Sequence, residues 1–368
     1  MASTSNPGPQ ALQVDYFSAS DQFLFTQTAA NLLEQQANLD LDAQVDAGLA
    51  YQVSQFQSQM KSRAMTASDR ILPAYIGLLS QATAFAALWN AAYQLQRPRL
   101  AQAALDAGTR ADIAQVYRQL AAQSGHINQQ AQALTGDMRV IAGELAPLNG
   151  GFNTALSATI AALGAAASAS SASIDQLKAA INTNIADIVA GANKTGAAVT
   201  ELIVKTMTTI SDAQGDAKAG SGDAAPSGDF VVQGIDAAEH GVAETAQARA
   251  ALNANNALLA SAYQQLAGAD ALVAVAKVVQ VQNSQFSSAF HNALDTAQVL
   301  AEDWGQSPQA PPATGVSAGL AAFADAVAGM ASSADAETLG GQLDYANTAW
   351  QLLAASLAPL EQAMTGAS

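Results

Sequence analysis

Histidines, clustered aspartates, reactive serines and glycine-rich phosphate loops are the features that announce chemistry, and in this chain none of them forms a working constellation. His126, His240 and His291 are far apart, and none stands in an HExxH or other ligand spacing. Asp212, Asp216, Asp223 and Asp229 share one stretch, yet they lack the ligand order of a calcium-binding loop. In GANKTG, residues 191–196, Lys194 and Thr195 precede the last glycine, whereas a phosphate loop needs them after it. That hexapeptide reads as a hinge or turn. No serine occupies a GxSxG elbow, and no carboxylate pair stands in a cleft-like context. We expect no catalytic residue, no cofactor site and no metal site; the chain does not read as an enzyme.

Composition points the same way. The 368 residues are half hydrophobic, with 5% aromatic residues and ten prolines that fall mostly at segment ends. Much of the apolar half is alanine, the best helix former, so long and closely packed helices are expected. The formal charge is −16 with 14 Lys and Arg, which argues against nucleic acid, because phosphate contacts need basic side chains. A polybasic run that would hold an anionic membrane is also missing. Contact with lipid would have to come from apolar burial. Cysteine is absent, so disulfides and thiolate sites are excluded. The first residues show no basic and apolar leader pattern, so no classical signal peptide is expected, nor is a constitutive transmembrane helix.

The helices follow from periodicity. Ser20 and Asp21 are placed to cap a helix running to about Met65, carried by apolar residues at three- to four-residue steps such as Leu32, Leu33, Leu49 and Val53. Pro73 should break the pattern, with Ser68 and Asp69 available as caps, and a second helix should run to Pro98. Thr109 and Asp112 resemble a capping box opening a third helix through Ile113, Leu120, Ile127, Leu134 and Ile141. Pro147 and the pair Gly150 and Gly151 should loosen it. A long helix is expected to end near Trp304, a Pro-rich connector to span 306–315, and two further helices to lie around 320–330 and 339–364. Folding back on the first helices would complete a bundle, with Trp89, Trp304 and Trp350 as core or interface aromatics.

The organising stretch lies between. Between Glu144 and Asp175 there is no charged residue, and two coiled-coil-like stripes run through Phe152, Leu156, Ile160 and Leu163, then Ile174, Leu177, Ile181, Ile185 and Ile188. AAVTELIVKTMTTI, residues 197–210, contributes Val199, Leu202, Ile203, Val204, Met207 and Ile210. A polar acidic loop separates it from Phe230, Val231, Val232 and Ile235. Two short apolar runs joined by a polar loop suggest a hairpin. Long helical sequence on both sides places it at the tip of a rod, a pattern we read as membrane-active.

The order of these segments resembles the cytolysin A superfamily of α-helical pore-forming toxins, of the haemolysin BL and non-haemolytic enterotoxin type. The residues that carry it are ILPAYIGLLSQATAFAALWNAAYQL, IAQVYRQLAAQSGHINQQAQALTGDMRVIAGEL, the uncharged helix after it, AAVTELIVKTMTTI, FVVQGI, ALLASAYQQLAGADALVAVAKVVQVQNSQF and YANTAWQLLAASL. The likeness spans about 21–363 and is greatest to the Vibrio motility-associated killing factor. It implies a mainly α fold: an elongated bundle of long antiparallel helices, the tail, with a small head carrying a two-stranded β-tongue. By position, 1–150 would be the first half of the tail, 151–240 the head with its tongue at about 199–235, and 241–368 the second half of the tail. The implied function is a cytolytic toxin or a subunit of a multi-component one. It would be secreted without a classical signal peptide, bind the target-cell membrane, insert the tongue residues named above and assemble with like or homologous subunits. Gly191 and Gly196 would serve as the hinge. A non-lytic coiled-coil scaffold or surface-coating protein is the alternative.

Overall fold

The first helix spreads its apolar residues around the helix rather than along one stripe, and a helix of that kind must be surrounded. In the structure, a computed structural model, it is. The described residues are 7–9, 12–34, 36, 38–39, 41, 45–103, 106–164, 269–305 and 315–365. Helix α1 (Leu12–Glu34) buries Tyr16, Phe17, Phe23, Leu24 and Leu33 on its several faces.

The chain then reverses. Asp46 caps α2 (Ala47–Thr66), its carboxylate accepting from the backbone N–H groups of Gly48 and Leu49. The expected single helix from Ser20 to Met65 is therefore two antiparallel helices. Ser20 is no cap: it sits in mid-helix, fully buried, with its hydroxyl 2.7 Å from that of Tyr75. A hydroxyl in that position is more useful across the helix interface than at an end.

Pro73 does not break the chain either. A single π turn (Ala67–Ile71) joins α2 to α3 (Leu72–Gln96), and the N–H of Leu72 reaches back to the carbonyl of Ala67. The wide turn comes just before Pro73, where a missing N–H is tolerated in the first turn of a helix. Ser68, expected as a cap, instead donates to Glu34 of α1 at 2.7 Å.

After α4 (Leu100–Ala103), helix α5 (Ala107–Gly164) runs for 58 residues, about 85 Å at 1.5 Å per residue. Its cap is Asp106, which accepts from the N–H groups of Gly108 and Thr109 at 3.1 and 2.9 Å, rather than a box of Thr109 and Asp112. Pro147 lies within the helix without ending it. The bond that Pro147 removes belongs to the carbonyl of Gly143, and both residues are on the exposed side, where water can satisfy it. At Gly151 a Cβ would come 2.9 Å from the ring of Phe56, which lies 6.0 Å from the Phe152 ring, so a larger residue there would displace that ring.

Helix α6 (Ala269–Trp304) returns antiparallel to α5. Asn153 donates to Ser284 and Gln280 to Ser157, at 3.2 and 3.3 Å. The last two helices, α7 (Val316–Ala328) and α8 (Ser333–Thr365), agree with the sequence expectation. Helix α7 lies along α5, where Ser317 donates to the carbonyl of Ala121. Helix α8 pairs antiparallel with α3: Asp344 takes both Arg97 Nε and Nη2, at 2.7 and 2.8 Å, with Tyr93 donating to the same carboxylate. Among the described residues the fold is a helical bundle with no strand.

All three tryptophans lie in one buried aromatic cluster. Phe85 contacts Trp304 edge-on at 5.4 Å and Trp350 at 5.0 Å, while Trp89 stacks on Trp350 at 5.8 Å and meets Tyr117 at 5.8 Å. Such pairs add to area burial through their geometry. The cluster joins α3, α5, α6 and α8 at the end of the bundle opposite the residues considered next.

Candidate functional site

The membrane-insertion residues expected from sequence, Val199, Leu202, Ile203, Val204, Met207, Ile210, Phe230, Val231, Val232 and Ile235, lie outside the described residues, as do Gly191 and Gly196. The structure does show what flanks them. Because α5 and α6 are antiparallel and Asn153 and Ser157 face Ser284 and Gln280, the helix ends at Gly164 and Ala269 belong to the same end of the bundle. Residues 165–268 leave and return there.

At this end a chain of buried glutamines ties α2 and α6 to the turn after α1. Gln36, in the turn after α1, donates its amide to Gln282 of α6 at 2.9 Å and accepts from Gln57 of α2 at 2.9 Å. Gln57 in turn accepts from the backbone N–H of Leu39 at 3.0 Å. All three side chains are buried, and buried amides are tolerated only when bonded in this way. The relay fixes the α1–α2 reversal against α6 close to where 165–268 begins and ends. Sequence reading missed it, since isolated glutamines in helical stretches carry no signature of their own.

A groove between α1, α5 and α6 of about 420 Å³ is lined by residues such as Phe25, Asn153, Gln280 and Ser284, none of them ionisable. No group of three or more His, Cys, Asp or Glu side chains that could hold a metal occurs among the described residues. The ionisable groups with strong perturbation lie at the other end. Burial raises Asp21 to about 8, and burial together with the neighbouring Asp15 and Glu302 raises Asp303 well above the ordinary carboxylate range. By length and composition, the rod formed by α2 and α3 is apolar enough to cross a membrane. In the bundle its residues Tyr75, Leu79 and Trp89 are fully buried, so we read it as core.

No family model and no curated protein matches the sequence. Solved structures do match over the whole chain. Soluble SmhA of the tripartite α-pore-forming toxin Smh from Serratia marcescens is 26% identical, with a TM-score of 0.63, covering 100% of this chain and 98% of that one. The HblL1 toxin component of Bacillus cereus is 13% identical with a TM-score of 0.66, covering 97% of each chain. The AhlB pore of the tripartite toxin AHL from Aeromonas hydrophila is 16% identical with a TM-score of 0.58, covering 98% and 99%. In its described residues the chain thus has the fold of components of α-pore-forming toxins.

Proposed function

We propose that this protein is a subunit of an α-pore-forming toxin, acting with copies of itself or with homologous subunits. The observation that carries the reading is the likeness to SmhA, which extends over practically the full length of both chains. The bundle geometry supports it: Gly164 of α5 and Ala269 of α6, which flank residues 165–268, lie at the same end, and the stretch between them contains the apolar runs at 199–210 and 230–235. The soluble protein binds the target membrane, the two runs form the tongue of a head that rearranges and enters, and subunits assemble around it. Gly191 and Gly196 give the backbone freedom for that change. Likeness to the Vibrio motility-associated killing factor is part of the same reading.

An open two-stranded hairpin cannot sit in hydrocarbon with its backbone unpaired, so entry requires conversion to helix or closure with other subunits. As helix, residues 199–235 span roughly 55 Å at ~1.5 Å per residue, more than one crossing of the ~30 Å core and less than two. Residues upstream, from about Ile181, therefore join the inserted segment. Dye release from liposomes tests the function, with the protein alone and mixed with homologous subunits. Release in either setting is expected. Membrane binding without release in every mixture would favour a surface-coating protein instead.

A further inference from the structure

The buried face of α6 follows a coiled-coil seam. From Ala276 to Trp304 its core positions recur at alternating three- and four-residue steps, and all of them are apolar and buried except one. The exception is Asn283, which is fully buried in the seam between Val279 and Phe286. Neither its Nδ2 nor its Oδ1 has a hydrogen-bond partner among the described residues. Turning the amide over changes nothing, because both atoms lack one.

The residues on either side of it are paired. Gln282 accepts from Gln36 in the turn after α1 at 2.9 Å, and Ser284 accepts from Asn153 of α5 at 3.2 Å. Asn283 thus lies at the level where α6 is bonded to both the α1–α2 reversal and α5. The layer around it is polar: Asn149, Asn153 and Ser157 follow one another at four-residue steps on α5, and Gln280, Ser284 and Ser288 do so on α6. The two side-chain bonds across it, from Asn153 to Ser284 and from Gln280 to Ser157, join neutral groups at 3.2 and 3.3 Å. The buried Oδ1 of Asn153 also has no partner among the described residues, and the groove between α1, α5 and α6 is open at this same layer.

Toward Trp304 the seam is different. Phe286 and Phe290 lie 6.0 Å apart, and the positions beyond them are apolar and buried as far as the aromatic cluster. Separating the helices there would expose apolar surface to water. In the polar layer the bonds between neutral side chains are exchanged for bonds to water at little net cost, and an unpaired buried amide gains the hydration it lacks in the closed bundle. The α5–α6 pair is therefore easiest to part at the level of Asn283.

We propose that this layer is a joint: α6 parts from α5 and from the α1–α2 reversal around Asn283 while the aromatic end stays closed, and this opening precedes membrane entry, the second half resting on the pore-forming reading. The amide of Asn283 holds the closed state near its opening threshold. An apolar side chain in its place would lock the seam.

Amide exchange on the full chain in solution tests the joint. Residues 279–287 of α6 and 149–157 of α5 should exchange through a shared local opening, faster than 293–301 of α6. Asn283→Leu keeps the branched shape and removes both polar atoms, while Asn283→Ala removes them without adding volume. At least one of the two should raise the melting temperature and slow exchange at 279–287 by about tenfold. Fraying from Ala269 does not respond to these substitutions, so unchanged exchange in both overturns the joint. Loss of stability in both, or failure of both to fold, overturns it as well, since the amide would then be contributing to the closed state. Entry is read separately in the dye-release assay: the variant with slowed exchange should show a longer lag, and release at the wild-type rate overturns the role in entry. Absence of release by the wild type in every mixture would sink the pore-forming reading and the entry step with it, while the exchange result still decides the joint.

Discussion

The indole Nε1 of Trp304 donates to the hydroxyl of Tyr16 at 2.8 Å, and both side chains are fully buried. This bond fastens the last residue of α6 to α1, 288 residues away in sequence. Burial drives the Tyr16 hydroxyl far above the ordinary tyrosine range, so it stays protonated and available to the indole.

Tyr16→Phe keeps the ring and removes the acceptor. The indole is left buried without its partner, which costs about 1–3 kcal/mol. Urea unfolding should show that loss with an unchanged slope, and a variant as stable as the wild type would mean that the bond contributes nothing net.

The glutamine relay is a second test of buried polar pairing. Gln36→Ala removes two side-chain bonds that link the α1–α2 reversal to α2 and α6, and about 1–3 kcal/mol of destabilisation follows. Hydrogen exchange should rise first in the turn after α1 and in the start of α2. Uniform loosening of the whole bundle would argue against a local role for the relay.

Asp21 gives the bundle a pH dependence of definite sign. Burial raises its carboxyl from 3.8 to about 8 in the folded protein, so the folded state binds the proton more tightly. Stability from this group is full below pH 3.8, falls across the neutral range, and is lost as pH passes about 8. Thermal melts between pH 5 and pH 9 should show the wild type weakening toward alkali and Asp21→Asn weakening less. Parallel curves would place Asp21 in water.

The connector 306–314 and the glycine after it should respond oppositely to change. Gly305 and Gly315 approach so closely that a Cβ on Gly315 would collide with the Gly305 carbonyl oxygen. The connector thus returns to its own base, and shortening it to about five Gly and Ser residues changes loop entropy by well under ~1 kcal/mol. Gly315→Ala should destabilise by about 1–3 kcal/mol, because the obstacle is backbone. Loss of dye release in the shortened protein, with its melting temperature intact, would make the connector functional.

For the proposed tongue, replacing Leu202, Ile203, Val204 and Ile210 with serine should abolish dye release and leave the melting temperature of the bundle within about 2 °C. Acid should accelerate release by the wild type, faster at about pH 5 than at about pH 7.5, since Asp212, Asp216, Asp223 and Asp229 oppose burial while ionised. Full release by the serine variant would remove these residues from the mechanism.

Much of this protein was already determined by local sequence. Alanine-rich three- to four-residue periodicity specified the helices ending near Gln96 and Trp304 and the pair after the Pro-rich connector, because the energetics of helix formation act over a few residues. The three tryptophans could be assigned to the core, although not to one cluster: their meeting depends on antiparallel registers between helices hundreds of residues apart. The proposed tongue is known only from sequence, as two β-branched apolar runs around an acidic loop.

Tertiary structure decided where local signals competed. Ser20 and Asp21 carry a capping pattern, yet α1 begins earlier because its apolar residues on every side gain more from continuous burial than a cap offers. Pro73 reads as a break and Pro147 as a point of loosening, and a π turn before one and solvent beside the other absorb the missing donor. Asp106 displaced Thr109 and Asp112 as the cap of α5 for want of any local cue to rank them. The bond from Trp304 to Tyr16 had no sequence signature at all, since it exists only where packing brings opposite ends of two helices together.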